Sequence, residues 1–124
     1  ASVTDASVGD VHIQNSAHLE INDNQSITVC GSWSNAASFS AGTDATVELA
    51  GAATATVYGD NMFDSLVITG VTKQVNFEIG TTQDVDNVFS LEGLLSNTGL
   101  VLRSTSPGTI SALRPNCSTR AAVS

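Results

Sequence analysis

Apolar and polar residues alternate along nearly the whole chain, and this period of two limits the fold more than any other feature. Val11 and Ile13, Leu19 and Ile21, Ile27 and Val29, and Val47 and Leu49 are each separated by one polar residue. Val75, Phe77 and Ile79 form the clearest such run, with Gln74, Asn76 and Glu78 facing away. Phe39, Val57, Phe63, Leu66, Ile68, Val85, Phe89, Leu91, Leu100 and Leu102 continue the pattern. No stretch carries a helical period. Ala50–Ala55 has helix-forming composition, but Gly51 interrupts it among β-branched neighbours, so it reads as strand and turn.

Turn residues punctuate these runs at Gly9-Asp10, Asn22-Asp23-Asn24, Gly42, Gly51, Gly59-Asp60-Asn61, Gly70, Gly80, Gly93 and Asn97-Thr-Gly99. Gly and Asn supply the positive φ angles of tight corners. Many short strands without helices leave two architectures, a β-sandwich of hairpins or a solenoid whose coils stack. The Asn-Gly and Asp-Gly pairs that pin two-residue hairpins are absent. An alternating strand ending in Gly recurs in Ala45-Thr-Val-Glu-Leu-Ala-Gly51, Gln74-Val-Asn-Phe-Glu-Ile-Gly80 and Val88-Phe-Ser-Leu-Glu-Gly93. A loose repeat of roughly 20 residues favours the solenoid, with the sandwich as the alternative. The expected organisation is an N-terminal extension or arm over 1–8, a β-helix over 9–109 and a divergent C-terminal tail over 110–124.

Composition narrows the function. The chain has 124 residues, enough for one domain with a core, and a net charge of −8 from 12 acids against 4 bases. Nucleic-acid binding needs clustered bases to neutralise phosphates, so that class is excluded. An anionic membrane surface is disfavoured for the same reason, and no apolar run approaches the roughly 18 residues of a membrane span. A Ser/Thr-rich, Lys-poor chain with two cysteines suits an oxidising compartment. No signal peptide is visible, and a first residue of Ala points to a processed or excised segment.

Four stretches in order resemble the repeats of large secreted β-helical proteins of bacterial surfaces, the adhesin-like and haemagglutinin-like family. They are Gly31-Ser-Trp33-Ser-Asn35, then Phe39-Ser-Ala-Gly42-Thr43-Asp-Ala-Thr-Val47-Glu-Leu49-Ala-Gly51, then Val57-Tyr-Gly59-Asp-Asn-Met-Phe63-Asp-Ser-Leu66-Val-Ile68, and last Leu100-Val-Leu102-Arg103-Ser104-Thr-Ser-Pro107-Gly108-Thr109. The resemblance implies a right-handed parallel β-helix, secretion to the cell surface, and a structural or adhesive role without catalytic residues. Residues 110–124 and the two cysteines fall outside it.

No nucleophile–base arrangement is readable. His12 and His18 take outward strand positions, and a zinc site needs further converging ligands. Asp84 with Asp86, and Asp60 with Asp64, have the spacing of paired carboxylates for glycoside chemistry or Ca²⁺. They stand among corner residues, where Asp serves turns. No metal or cofactor is expected. Trp33, the single tryptophan, reads as a cap on the core, and sugar-binding surfaces usually present several aromatics. Asn24-Gln-Ser26 and Asn116-Cys-Ser118 match the glycosylation acceptor pattern.

Cys30 and Cys117 are the expected disulfide pair. About four coils of roughly 20 residues separate them, near 20 Å at about 4.8 Å per strand, and a disulfide needs Cα atoms within about 7 Å. Either the tail folds back along the helix, or Cys117 of one subunit bonds Cys30 of the next. The second route describes an extracellular, non-enzymatic subunit that polymerises head to tail with copies of itself, as a filament, surface stalk or adhesin module. The alternative is a carbohydrate-binding module that takes surface glycans on a strand face.

Overall fold

The computed structural model describes residues 2–51, 54–70, 74–92, 101–104 and 112–115, the last two stretches as backbone only. Among them there is no helix, and every strand pairing is parallel. Hairpins require antiparallel neighbours, so the sandwich alternative falls and the chain is a parallel β-solenoid.

The first coil carries β1 (Ser2–Val3), β2 (Ala6–Val8) and β3 (Val11–Ile13). The second carries β4 (His18–Ile21), β5 (Ser26–Val29) and β6 (Trp33–Asn35), and the third β7 (Ser38–Ala41), β8 (Thr46–Leu49) and β9 (Thr54–Tyr58). β10 (Asn61–Thr69) and β11 (Gln74–Phe77) make the fourth. β12 (Thr82–Glu92), β13 (Val101–Ser104) and β14 (Ala112–Pro115) continue above it. Face A is β1-β4-β7 and face C is β3-β6-β9-β11-β13. Face B runs β2-β5-β8-β10-β12, and β14 lies over the first half of β12.

Stacking turns the period-two pattern into interior columns. Ile27, Val47, Leu66 and Phe89 form one on face B, and Val29, Leu49, Ile68 and Leu91 another. On face C, Val11, Trp33, Val57 and Phe77 align. Val29, Leu49, Leu66, Ile68 and Val75 are all fully buried, and each burial of this size contributes about 1.5–3 kcal/mol. Ile79 departs from the pattern. β11 ends at Phe77, the chain turns at Ile79-Gly80, and Ile79 is 46% exposed.

Residues 2–8 are not a free arm, because β1 and β2 pair with β4 and β5 as rungs of the first coil. The stack also runs past position 109, since Ala112–Pro115 pair with Thr82–Val85. Residues 116–124 lie outside the described residues.

Carboxylates clip successive coils together. Asp5 Oδ1 accepts the Ser26 N–H at 2.8 Å, Asp10 Oδ1 that of Ser32 at 2.7 Å, Asp23 Oδ1 that of Thr43 at 2.8 Å, and Asp60 Oδ1 that of Thr82 at 2.7 Å. Each clip satisfies a backbone donor that the corner has removed from the ladder. Gly31 and Gly42 make room for two of them, since a Cβ at either would collide with the carboxylate of Asp10 or Asp23.

Candidate functional site

Two surfaces depart from a closed stack. The first is the edge of the first coil. β1, β2 and β3 each pair on one side only, with β4, β5 and β6. Their inward residues Val3, Ala6, Val8, Val11 and Ile13 line a concavity of about 320 Å³ together with Leu19 and Ile27. Its rim carries Asp10, His12 and His18. Unpaired strand edges beside exposed apolar interior are a template for further strands.

The second is a seam on face A. Ser38 and Gly42 donate their N–H groups backward, to Ala17 O at 3.2 Å and Ile21 O at 2.8 Å. Strand alternation turns the backbone groups of Phe39 and Ala41 the other way, toward residues 61–63. Among the described residues no ladder joins β7 to that stretch. A cleft of about 490 Å³ opens there, lined by Asn35, Ala37–Phe39, Asp60–Met62, Thr82 and Asp84. A smaller one of about 140 Å³ continues it past Ser40, Ala41, Asp64 and Asp86. Among the described residues the lining holds four aspartates and no base.

The floor of the seam is an aromatic triangle. Trp33 meets Phe39 edge-on at 4.8 Å and Phe63 at 5.6 Å, and Phe39 and Phe63 lie 5.6 Å apart. Trp33 is wholly buried, an element of the core rather than a cap on it. Its Nε1 donates to Asn61 Oδ1 at 2.8 Å, which also accepts from Asn35 Nδ2 at 3.1 Å. Asn61 Nδ2 donates to Gln83 Oε1 at 2.8 Å, and Gln83 Nε2 to Gly59 O at 2.8 Å. Asn35, Asn61 and Gln83 thus form a polar column through three successive corners between face C and face A. Sequence reasoning missed it, although each of these amides falls at the corner leading to face A.

The residues singled out from sequence are scattered. His12 and His18 point outward, and His18 bridges Ser38 Oγ at 2.8 Å and Ser40 Oγ at 3.1 Å on the next coil. Asp60 is a coil clip, and Asp64 accepts from Ser65 Oγ at 3.2 Å and Asn87 Nδ2 at 3.4 Å. Among the described residues no three His, Cys, Asp or Glu groups converge as metal ligands. Asn24 is exposed at the corner between faces A and B, in the left-handed region at φ 59°. Asn116 lies outside the described residues.

Cys30 is an exposed free thiol in the second coil, and its N–H donates to Val8 O at 3.0 Å. Cys117 lies outside the described residues, two positions beyond Pro115.

The charges are also divided along the stack. All 12 acids lie at or before Glu92, whereas Arg103, Arg114 and Arg120 follow it. Comparison with family models, curated proteins and solved structures returns no match.

Proposed function

We propose that this chain is a non-enzymatic structural subunit that stacks end to end with copies of itself into an extracellular filament or surface stalk, akin to the bacterial β-helical surface proteins its repeats resemble. The observation that carries this reading is the edge of the first coil, with three half-paired strands around an apolar concavity. Burying that concavity against a second solenoid continues its interior columns and pairs its free backbone groups. The acidic early coils and the basic later segment give the stack a polarity, so that unlike ends attract. Sugar binding on a strand face is less well supported. Trp33 is buried, and Tyr58 is the single aromatic ring among the described residues with more than a third of its surface exposed.

Sedimentation and electron microscopy of the native chain test this. Concentration-dependent filaments are expected, and Val8→Lys, which places a charge inside the exposed edge, should leave monomers. A native chain that stays monomeric at high concentration overturns the reading.

A further inference from the structure

Among the described residues, the seam leaves the backbone groups of Phe39 and Ala41 without a ladder partner in the middle of an otherwise paired stack. We propose that this edge of β7 binds an extended basic peptide segment of another protein, taken up as an added strand in which lysine or arginine alternates with small apolar residues. The site is separate from the edge of the first coil and does not depend on stacking. A strand edge turned toward an open cleft supplies donors and acceptors in a row, and an extended peptide is the ligand whose own backbone matches them. β7 has 4 residues, so it offers about 13 Å of edge at ~3.3 Å each.

The cleft wall sets the side chains of that peptide. Asp60, Met62 and Asp64 take alternate positions and face outward, whereas Asn61 and Phe63 between them are buried. Met62 is 59% exposed, the most exposed large hydrophobic side chain among the described residues. Asp60 accepts the Thr82 N–H, and Asp64 accepts from Ser65 Oγ and Asn87 Nδ2. These partners are all neutral, so both carboxylates keep their charge toward the cleft. An added strand alternates in the same way. Its outward side chains fall beside Asp60, Met62 and Asp64, where long cations meet the carboxylates and lay their apolar stems over Met62. Its inward side chains fall beside Phe39 and Ala41, at the rim of the aromatic floor, where small apolar groups fit. An acidic strand would be repelled at both carboxylates.

Amide hydrogen exchange on the full chain in dilute solution tests the proposal, with a synthetic peptide of alternating lysine and valine as the probe. At saturating peptide the Phe39 and Ala41 amides should exchange about ten-fold more slowly. The Ser38 and Ser40 amides, which face β4, should not change, and so report that the coil itself is unaltered. The same peptide methylated at every backbone nitrogen cannot donate to the edge and should give no protection. Glutamate in place of lysine should also abolish it. Asp64→Asn should weaken the lysine–valine peptide by up to about five-fold, the worth of one exposed ion pair. Unchanged exchange at Phe39 and Ala41 with the lysine–valine peptide overturns the proposal. So does equal protection by the methylated peptide, which would reduce the contact to charge alone, or by the glutamate peptide. Protection of these two amides without any peptide overturns it as well, since the edge is then filled by the chain itself or, where protection grows with protein concentration, by a second copy.

Discussion

The second and third coils and the coils above them are built from the same strand chemistry but have different cross-sections. In the second and third coils a four-residue corner, Asn22–Gln25 or Gly42–Ala45, separates face A from face B. Each contains a left-handed residue at the equivalent place, Asn24 at φ 59° and Asp44 at φ 58°. In the fourth coil Asp64 alone stands between Phe63 and Ser65, and β10 runs unbroken for 9 residues from one face to the other. β12 does the same for 11 residues, with Asp86-Asn87 at the bend and a register shift against β10. Coils of unlike outline cannot stay in register on every face. Face B and face C keep their ladders, and the mismatch collects on face A as the seam. A corner of a few residues thus decides whether a solenoid is continuous or carries a cleft.

The largest effects should come from the aromatic floor that holds the two kinds of coil together. Trp33→Ala or Phe63→Ala should destabilise by about 3–5 kcal/mol in chemical denaturation. Phe39, half-buried at the cleft, should cost clearly less when truncated, near the low end of large-to-small changes at about 2 kcal/mol. Equal losses at Phe39 and Phe63 would mean that the seam is packed like any other interface between coils, and the comparison would break.

Next in size is the polar column. Asn61→Ala leaves Trp33 Nε1 and Gln83 Oε1 without the partners described above, each a buried group that costs about 1–3 kcal/mol when orphaned. A loss of about 2–4 kcal/mol is expected. Asn61→Leu should recover none of it, because the orphaned groups remain. If Asn61→Leu is neutral, the column is filler rather than a joint between the coils.

Much of the fold was legible in the sequence, because the inward columns obey the period of two whatever face they occupy. That indifference also misled. Ala45–Gly51 and Gln74–Gly80 look like equivalent repeats, yet the first builds face B and the second face C. Local alternation reports that a strand has an inside, not which strand it will stack on. Residues 2–8 read as an arm because Val3, Ala6 and Val8 are small and set among polar residues, and only pairing with β4 and β5 makes them rungs. Asn61 and Gln83 occupy inward positions two before Phe63 and Val85, but polar identity argues for the outside until Trp33 Nε1 is seen to need an acceptor. The seam was not legible at all, since it arises from a difference in outline between coils and from no residue alone. The clips left a signal that went unread. Asp5, Asp10, Asp23 and Asp60 each precede, by about one coil, a Ser or Thr whose N–H they bind.

These clips give the smallest expected effect and the finest comparison between regions. Asp23, at the corner of the second coil, binds a backbone N–H of the coil above. Asp64, where the fourth coil has lost that corner, bonds among the described residues to the side chains of Ser65 and Asn87. Asp23→Ala orphans the Thr43 N–H at an exposed corner, where water replaces part of the bond, so the loss should be about 1 kcal/mol. Asp23→Asn keeps an oxygen at Oδ1 and should lose less than Asp23→Ala. Asp64→Ala should stay within about 0.5 kcal/mol of the parent, as surface changes away from such features do. The midpoint of urea unfolding resolves these differences. If Asp64→Ala costs as much as Asp23→Ala, the aspartate at the bend of β10 supports its coil as a corner does, and the two regions differ less than their outlines suggest.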